Sequence, residues 1–200
     1  MNSISRHAEV LAFAKATVDN GLSRLGRRLD PRSPVDAALV FLAARALALA
    51  DAVFLLAKGG RAAESAPLCL TVIRFSLSME EALRPEEAAR VRAWIEKSSE
   101  SGWEGLWEGL GRDMEKAGYS ERALSAARRA KRAFLRGNAR ALPWIHVFEE
   151  EGGGEMSPED VMLSALEALG RAVEALEARW PGSFSGAREM REKVTRQAKE

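Results

Sequence analysis

Cysteine is nearly absent from this chain of 200 residues, which contains only Cys69. A single thiol cannot form an intramolecular disulfide, so the composition does not indicate a secreted protein held together by cross-links. Cys69 lies in an apolar segment, and we expect it to be a buried hydrophobic residue rather than a reactive thiol. The stretch from Met1 to Val10 has no apolar signal-peptide core after its charged residues, so we expect a cytoplasmic protein.

Histidine is almost as scarce, with only His7 and His146. Neither belongs to a metal-binding motif, because the sequence has no His-x-x-His, Cys-x-x-Cys or His-Glu-x-x-His. It also lacks the Gly-x-Ser-x-Gly nucleophile elbow, the Walker loop and the Gly-x-Gly-x-x-Gly fingerprint. We therefore expect no metal and no cofactor, and enzymes built on these motifs are excluded.

An excess of charge of either sign is missing as well. The chain has 30 Lys and Arg residues against 29 Asp and Glu residues, which gives a net charge of +1. This balance does not indicate a polybasic nucleic-acid binder or an acidic tail, although local patches can still form.

Strand-forming sequence is scarce, since there is one Tyr, little Ile and no alternating run of β-branched residues. The abundant residues are Ala, Leu, Glu and Arg, which are typical of helices. The spacing of apolar residues predicts an all-α protein, an antiparallel bundle of about six or seven helices. We expect one domain over residues 1–182 and a charged C-terminal tail or helix over 183–200.

The predicted centre of the bundle is the stretch from Val35 to Lys58. Between Ala37 and Ala57 its only charges are Arg45 and Asp51. The stretch is long enough to span a membrane, but each of these charges would cost about 2.5–3.5 kcal/mol at the centre of a bilayer. We therefore expect a core helix, buried nearly all round, and no membrane contact.

This stretch is followed by Gly59-Gly60 and by a second apolar helix ending near Leu83, which predicts an antiparallel helical hairpin. Arg74 is the charge inside the second helix. Because buried charges need partners, we expect a buried pair between Asp51 and Arg74. The pair would be structural, or these charges would lie at an edge position that reaches water. The other alternative is a polar pocket inside the bundle.

A ladder of arginines at four-residue spacing is the most regular polar pattern. Its members are Arg128, Arg132, Arg136 and Arg140, with Arg129 beside them. Such a row can contact successive phosphates of a nucleic acid, because the guanidinium fork binds two oxygens at once. The alternative is a solvated helix face paired with carboxylates. Gly137-Asn138 predicts a break in this helix.

The hairpin carries a family resemblance. Ala46 to Leu56 reads Ala-Leu-Ala-Leu-Ala-Asp-Ala-Val-Phe-Leu-Leu, Gly59-Gly60 follows, and the second helix ends in Met79-Glu80-Glu81-Ala82-Leu83. Over Ala43 to Leu83 this resembles the first hairpin of HEPN-type, abortive-infection-like bacterial proteins. The resemblance implies a dimeric, metal-independent ribonuclease with an Arg and a His four to six residues apart.

Arg140 and His146 have that spacing. His146 would then act as general acid or base and Arg140 would stabilise phosphate charge. The sequence departs from the family pattern at Ala141, which follows the arginine, and at Pro143, which lies between the two residues.

Two functions therefore stay open. The first is a non-catalytic binding or assembly module that contacts a protein partner, or nucleic acid through the arginine ladder. The second is the ribonuclease that the resemblance implies. Trp103 and Trp107, which share one side of a helix in a Trp-Glu-Gly-Leu repeat, are expected either in an interface or in the core.

Overall fold

The computed structural model describes residues 3–30, 32–84, 109–140 and 157–199, with side chains described for 4–30, 32–84, 109–131 and 157–198. These residues form seven α-helices, a short 3-10 helix and no strand, so the prediction of an all-α bundle is confirmed. The helices are α1 (Ser3–Leu25), α2 (Pro34–Lys58), α3 (Ala62–Ala82), α4 (Leu110–Lys116), α5 (Glu121–Arg140), α6 (Pro158–Arg179) and α7 (Ala187–Lys199).

The α2–α3 hairpin forms as its sequence predicts. Ser33 caps α2, since its side chain accepts a hydrogen bond from the backbone N–H of Asp36, and Pro34 occupies the first turn. Gly59 ends the helix, and Gly60 adopts the left-handed conformation with φ +77°. The two helices then pack against each other along their length.

The helix at the centre of the bundle is α6 rather than α2. α6 contacts α1, α2, α3, α5 and α7. Its positions from Val161 to Leu176 are buried except for Glu167, Arg171 and Glu174, which are half-buried. α2 instead lies at the outside of the bundle and leaves one side exposed. The expectation that Val35–Lys58 is buried nearly all round is therefore wrong.

One ion pair with a buried carboxylate joins the start of α2 to the end of α6. The Asp36 carboxylate, which is 1% exposed, accepts hydrogen bonds from Arg179 Nε at 2.8 Å and from the backbone N–H of Asp30 at 2.9 Å. Arg179 Nη2 lies 2.7 Å from the same carboxylate. This cluster fixes the ends of two helices that are far apart in sequence.

The C-terminal segment forms α7 and packs on the bundle. Phe184, Met190 and Val194 are buried and belong to the core that α1 and α6 also line. α7 is amphipathic, since Ala187, Met190 and Val194 are buried whereas Arg188, Glu189, Arg191 and Glu192 are exposed. The segment 183–200, expected to be a charged tail or helix, therefore contains a helix that packs on the bundle.

Candidate functional site

The exposed side of α2 is an apolar surface, which we call the outer face of α2. It consists of the exposed residues Ala37, Phe41, Ala44, Arg45, Ala48, Asp51 and Leu55. Phe41 is 48% exposed and Leu55 is 75% exposed, and these two are the large exposed hydrophobic side chains of the described residues. Contiguous exposed apolar surface of this kind marks interaction sites in folded proteins.

α2 has this face because it is apolar on two sides. Its inner side, with Leu39, Leu42, Ala46 and Val53, packs on α3 and α6. By length and composition alone the helix could also cross a membrane. The sequence gives no period that distinguishes the inner side from the outer one, which is why the outer face was not predicted.

The predicted pair between Asp51 and Arg74 does not form. Asp51 is exposed and its carboxylate accepts a hydrogen bond from Lys15 Nζ of α1 at 2.6 Å. Arg74 Nη1 donates to Asp113 of α4 at 3.1 Å. The prediction failed because Asp51 lies on the outer face of α2, whereas Arg74 points toward α4. Each charge pairs with a residue on another helix. The spacing of charges along the sequence does not identify those partners.

Arg128 of the predicted ladder and the neighbouring Arg129 pair with carboxylates of the bundle. Arg128 pairs with Glu115 and lies 3.8 Å from Glu121, and Arg129 pairs with Asp160 at 3.1 Å. These contacts match the alternative of a charge-paired helix face. The side chains of Arg132 and Arg136 lie outside the described ones. The α5 backbone stays helical through Gly137-Asn138 to Arg140, so the predicted break is wrong.

The proposed catalytic pair is only partly within the described residues. Arg140 is the last residue of α5, and His146 lies outside the described residues, as do Trp103 and Trp107. The ribonuclease hypothesis and the two expectations for the tryptophans therefore stay predictions. In the described part of the chain, no group of three or more His, Cys, Asp or Glu side chains could hold a metal ion.

A cleft of about 490 Å³ lies between the α4–α5 turn, α6 and α7. Arg171 is its central charge. Arg171 Nη1 pairs with Glu80 at 3.3 Å, and its guanidinium stacks on the ring of Tyr119, 4.3 Å from the centroid. Glu167 also lines the cleft and accepts hydrogen bonds from the backbone N–H and the hydroxyl of Ser120 at 2.7 and 2.6 Å.

Burial governs the ionisation of two groups beside this cleft. Desolvation raises the pKa of the Tyr119 hydroxyl above its usual range, against the lowering effects of its hydrogen bond with Ser76 and of the Arg171 charge. Desolvation also raises the pKa of the Glu80 carboxyl, against the lowering effect of Arg171.

The cleft was not predicted from the sequence, although one signal is visible there. Glu167, Arg171 and Glu174 are the only charges between Val161 and Leu176, and they lie at spacings of four and three. That spacing places them on one side of α6. The partners from α3, the α4–α5 turn and α7 come from distant segments, so the sequence alone does not assemble the site.

The chain was compared with known proteins at three levels. No family model matches it, no curated protein matches it, and no solved structure matches it. The resemblance of Ala43–Leu83 to HEPN-type hairpins accordingly stays a prediction.

Proposed function

We propose that this protein is a non-catalytic assembly module that pairs with a second copy of itself through the outer face of α2. The observation that carries this proposal is the exposure of Phe41 and Leu55 on a helix whose outer face is otherwise mostly alanine. Burying a side chain of either type stabilises by about 1.5–3 kcal/mol. A dimer would cover four such side chains.

The arrangement of side-chain sizes supports a second copy as the partner. Counted in either direction from Ala48, the side chains are small at Ala44 and the half-buried Ala52, large at Phe41 and Leu55, and small at Ala37 and at Gly59 just beyond the helix. These sizes are the same when the helix is reversed. Arg45 and Asp51, three residues on either side of Ala48, exchange places on reversal and are opposite in charge. A two-fold axis at Ala48 would place Phe41 of one copy beside Leu55 of the other, as an isologous interface requires.

Small residues at the centre of this pattern allow two helices to approach closely. Ala44, Ala48 and Ala52 have no side-chain atoms beyond Cβ, so the centre of the face does not obstruct packing with the helix axes within the usual range of about 8–10 Å. The Asp51 carboxylate at the edge of the face is neutralised by Lys15. Two copies therefore do not bring unpaired carboxylates together.

A nucleic-acid partner has less support. Arg128 and Arg129, at the start of the predicted ladder, already pair with Glu115 and Asp160. A phosphate would have to displace those carboxylates, which offsets much of the electrostatic gain. We therefore favour a protein partner.

Light scattering on the full chain after gel filtration tests this proposal. The expected mass is twice the 21.8 kDa of one chain. The double substitution Phe41→Gln and Leu55→Gln should shift the mass to one chain, and Arg196→Gln, on the exposed side of α7, should leave the dimer intact.

Three outcomes would overturn the proposal. The first is a wild-type chain that is monomeric at every concentration. The second is a Phe41→Gln/Leu55→Gln variant that dimerises as well as the wild type. The third is a monomer that co-sediments with neutral lipid vesicles through Phe41 and Leu55, which would assign the outer face to a bilayer instead.

A further inference from the structure

The outer face of α2 carries two opposite charges at its margins. Arg45 and Asp51 lie three residues on either side of Ala48. In a helix with 3.6 residues per turn, this places them about 60° from Ala48 in opposite directions around the axis. Both residues are exposed. They flank the apolar centre of the face, where charges govern the choice and orientation of a partner when two helices pair.

Each of these residues has a charged group that can accept a further contact. Asp51 accepts the hydrogen bond from Lys15 through Oδ2, at 2.6 Å, and its Oδ1 has no donor within the described residues. The Asp51 side chain is 47% exposed, so a second donor can reach this oxygen. Arg45 forms no ion pair in the described part of the chain. The face therefore presents one unpaired guanidinium and one half-occupied carboxylate.

Antiparallel pairing brings these unlike charges to the same level. With a rise of about 1.5 Å per residue, Arg45 and Asp51 each lie about 4.5 Å along the axis from Ala48. In the two-fold pair centred on Ala48, Arg45 is therefore level with the partner's Asp51. The two copies of Arg45 are about 9 Å apart along the axis, and so are the two copies of Asp51. A parallel pair would instead bring like charges level with each other.

The small residues of the face leave space for this contact. Arg45 and the partner's Asp51 lie on opposite margins, so the arginine side chain has to extend across the seam between the two helices. Near that level the seam contains Ala44 and the partner's Ala52, whose side chains end at Cβ. An arginine can lay its aliphatic stem along such apolar surface while its guanidinium stays at the edge, beside the carboxylate.

We infer that Arg45 and Asp51 form two reciprocal ion pairs across the dimer and thereby determine its antiparallel register and its partner. This inference rests on the dimer proposed above. Arg45 of each copy donates to Oδ1 of the partner's Asp51, while Lys15 keeps its bond to Oδ2. A surface with a positive charge opposite Arg45, or a negative charge opposite Asp51, is rejected, because like charges brought together at an interface are unfavourable.

A charge swap tests this inference in the full chain. The double variant Arg45→Glu/Asp51→Lys exchanges the two signs, so two copies of the variant form both pairs in the opposite sense. A dimer of the variant with the wild type instead brings like charges level at both positions. Energy transfer between N-terminally labelled chains measures each affinity. We expect the variant to pair with itself as the wild type does, and the mixed dimer to be weaker by about tenfold or more.

Two single variants give the complementary result. Arg45→Glu alone and Asp51→Lys alone should each dimerise about tenfold or more weakly than the wild type. An equimolar mixture of the two should recover the wild-type affinity, because each chain then meets the opposite charge. These differences should shrink at about 1 M salt, where the screening length is about 3 Å. Arg196→Glu reverses a charge on the exposed side of α7 and should leave the dimer unchanged.

The inference is overturned if the swap variant pairs with the wild type as tightly as with itself, or if mixing the single variants recovers no affinity. In either case the dimer itself would stand, because its own test is the mass of the wild-type chain. A wild-type chain that is monomeric at every concentration would overturn the dimer and this inference with it. Should Asp51→Lys fail to fold beside Lys15, as judged by its thermal melt, undiminished dimerisation of Arg45→Glu refutes the ion pairs.

Discussion

The ring of Phe184 occupies the space that a side chain at Gly21 would need. A Cβ built on Gly21 of α1 would lie 2.1 Å from Cδ1 of Phe184 and 2.3 Å from its Cε1. Phe184 is fully buried, in the turn between α6 and α7. The missing side chain on α1 is therefore what allows the C-terminal segment to pack close to the N-terminal helix.

Gly21→Ala is accordingly expected to destabilise the protein, although alanine is the better helix former. Overpacking of this kind costs about 1–3 kcal/mol, which outweighs the gain of about 1 kcal/mol in helix propensity. Gly111→Ala in α4 is the matched control, because nothing lies within 4 Å of its built Cβ. Urea denaturation measures both. Equal stability of the two variants would contradict this packing.

The buried Asp36 carboxylate pairs with the partly exposed Arg179, and removing its charge should be more damaging than breaking a surface pair. Asp36→Asn is expected to lower the free energy of unfolding by about 1.5–3 kcal/mol, the contribution of a hydrogen bond to a charged group, because the Asp36 carboxylate is buried. Asp51→Asn removes the exposed pair with Lys15 and should cost less than about 1 kcal/mol. Thermal or urea melts that rank the two variants in the opposite order would refute this.

Cys69 should be unreactive in the folded protein. It is buried, its Sγ lies 3.5 Å from the carbonyl oxygen of Val161, and burial raises the pKa of its thiol to about 12. Because the thiolate is the nucleophile, labelling by a disulfide reagent at neutral pH should be slow until denaturant unfolds the chain. Equal labelling rates in the presence and absence of denaturant would show that the thiol is accessible.

Glu80 should make the protein less stable as the pH rises. Desolvation raises the pKa of its carboxyl above the usual value of 4.5, so the folded state binds this proton more tightly than the unfolded state does. The free energy of unfolding therefore falls as the pH rises from 4.5 through the folded-state pKa. Glu80→Gln removes the titrating group and should flatten this slope in urea melts. Parallel pH profiles of variant and wild type would contradict the assignment.

Local signals predicted the parts of the fold that local chemistry determines. The cap at Ser33, the turn at Gly59-Gly60 and the α2–α3 hairpin depend on residues adjacent in sequence, and each is present. The burial of Cys69 followed from the apolar residues around it. The same reasoning wrongly placed α2 at the centre of the bundle. Composition indicates how apolar a helix is, but it does not indicate which other helices pack against it.

Contacts between distant segments account for what was missed. Asp51 pairs with Lys15 and Arg74 with Asp113, across 36 and 39 residues. The cleft around Arg171 likewise combines α6 with the α4–α5 turn and α7. Opposite charges are so numerous in this chain that their spacing along the sequence cannot select the pairs. The predicted pair between Asp51 and Arg74 failed for that reason.

The proposed dimer has a specific register, and one cysteine tests it. Ala48→Cys places a thiol on the proposed two-fold axis, where two copies bring their Cβ atoms within the roughly 3.5–4.5 Å that a disulfide needs. Cys69 is buried and does not compete. Arg196→Cys, on an exposed position of α7, is the control for random collision.

The decisive measurement is the fraction of Ala48→Cys protein that forms a covalent dimer under mild oxidation, read on a non-reducing gel. Pairing through the outer face of α2 predicts rapid and nearly complete cross-linking of Ala48→Cys, abolished by Phe41→Gln and Leu55→Gln, with little cross-linking of Arg196→Cys. Cross-linking of Ala48→Cys no faster than that of Arg196→Cys would contradict the account.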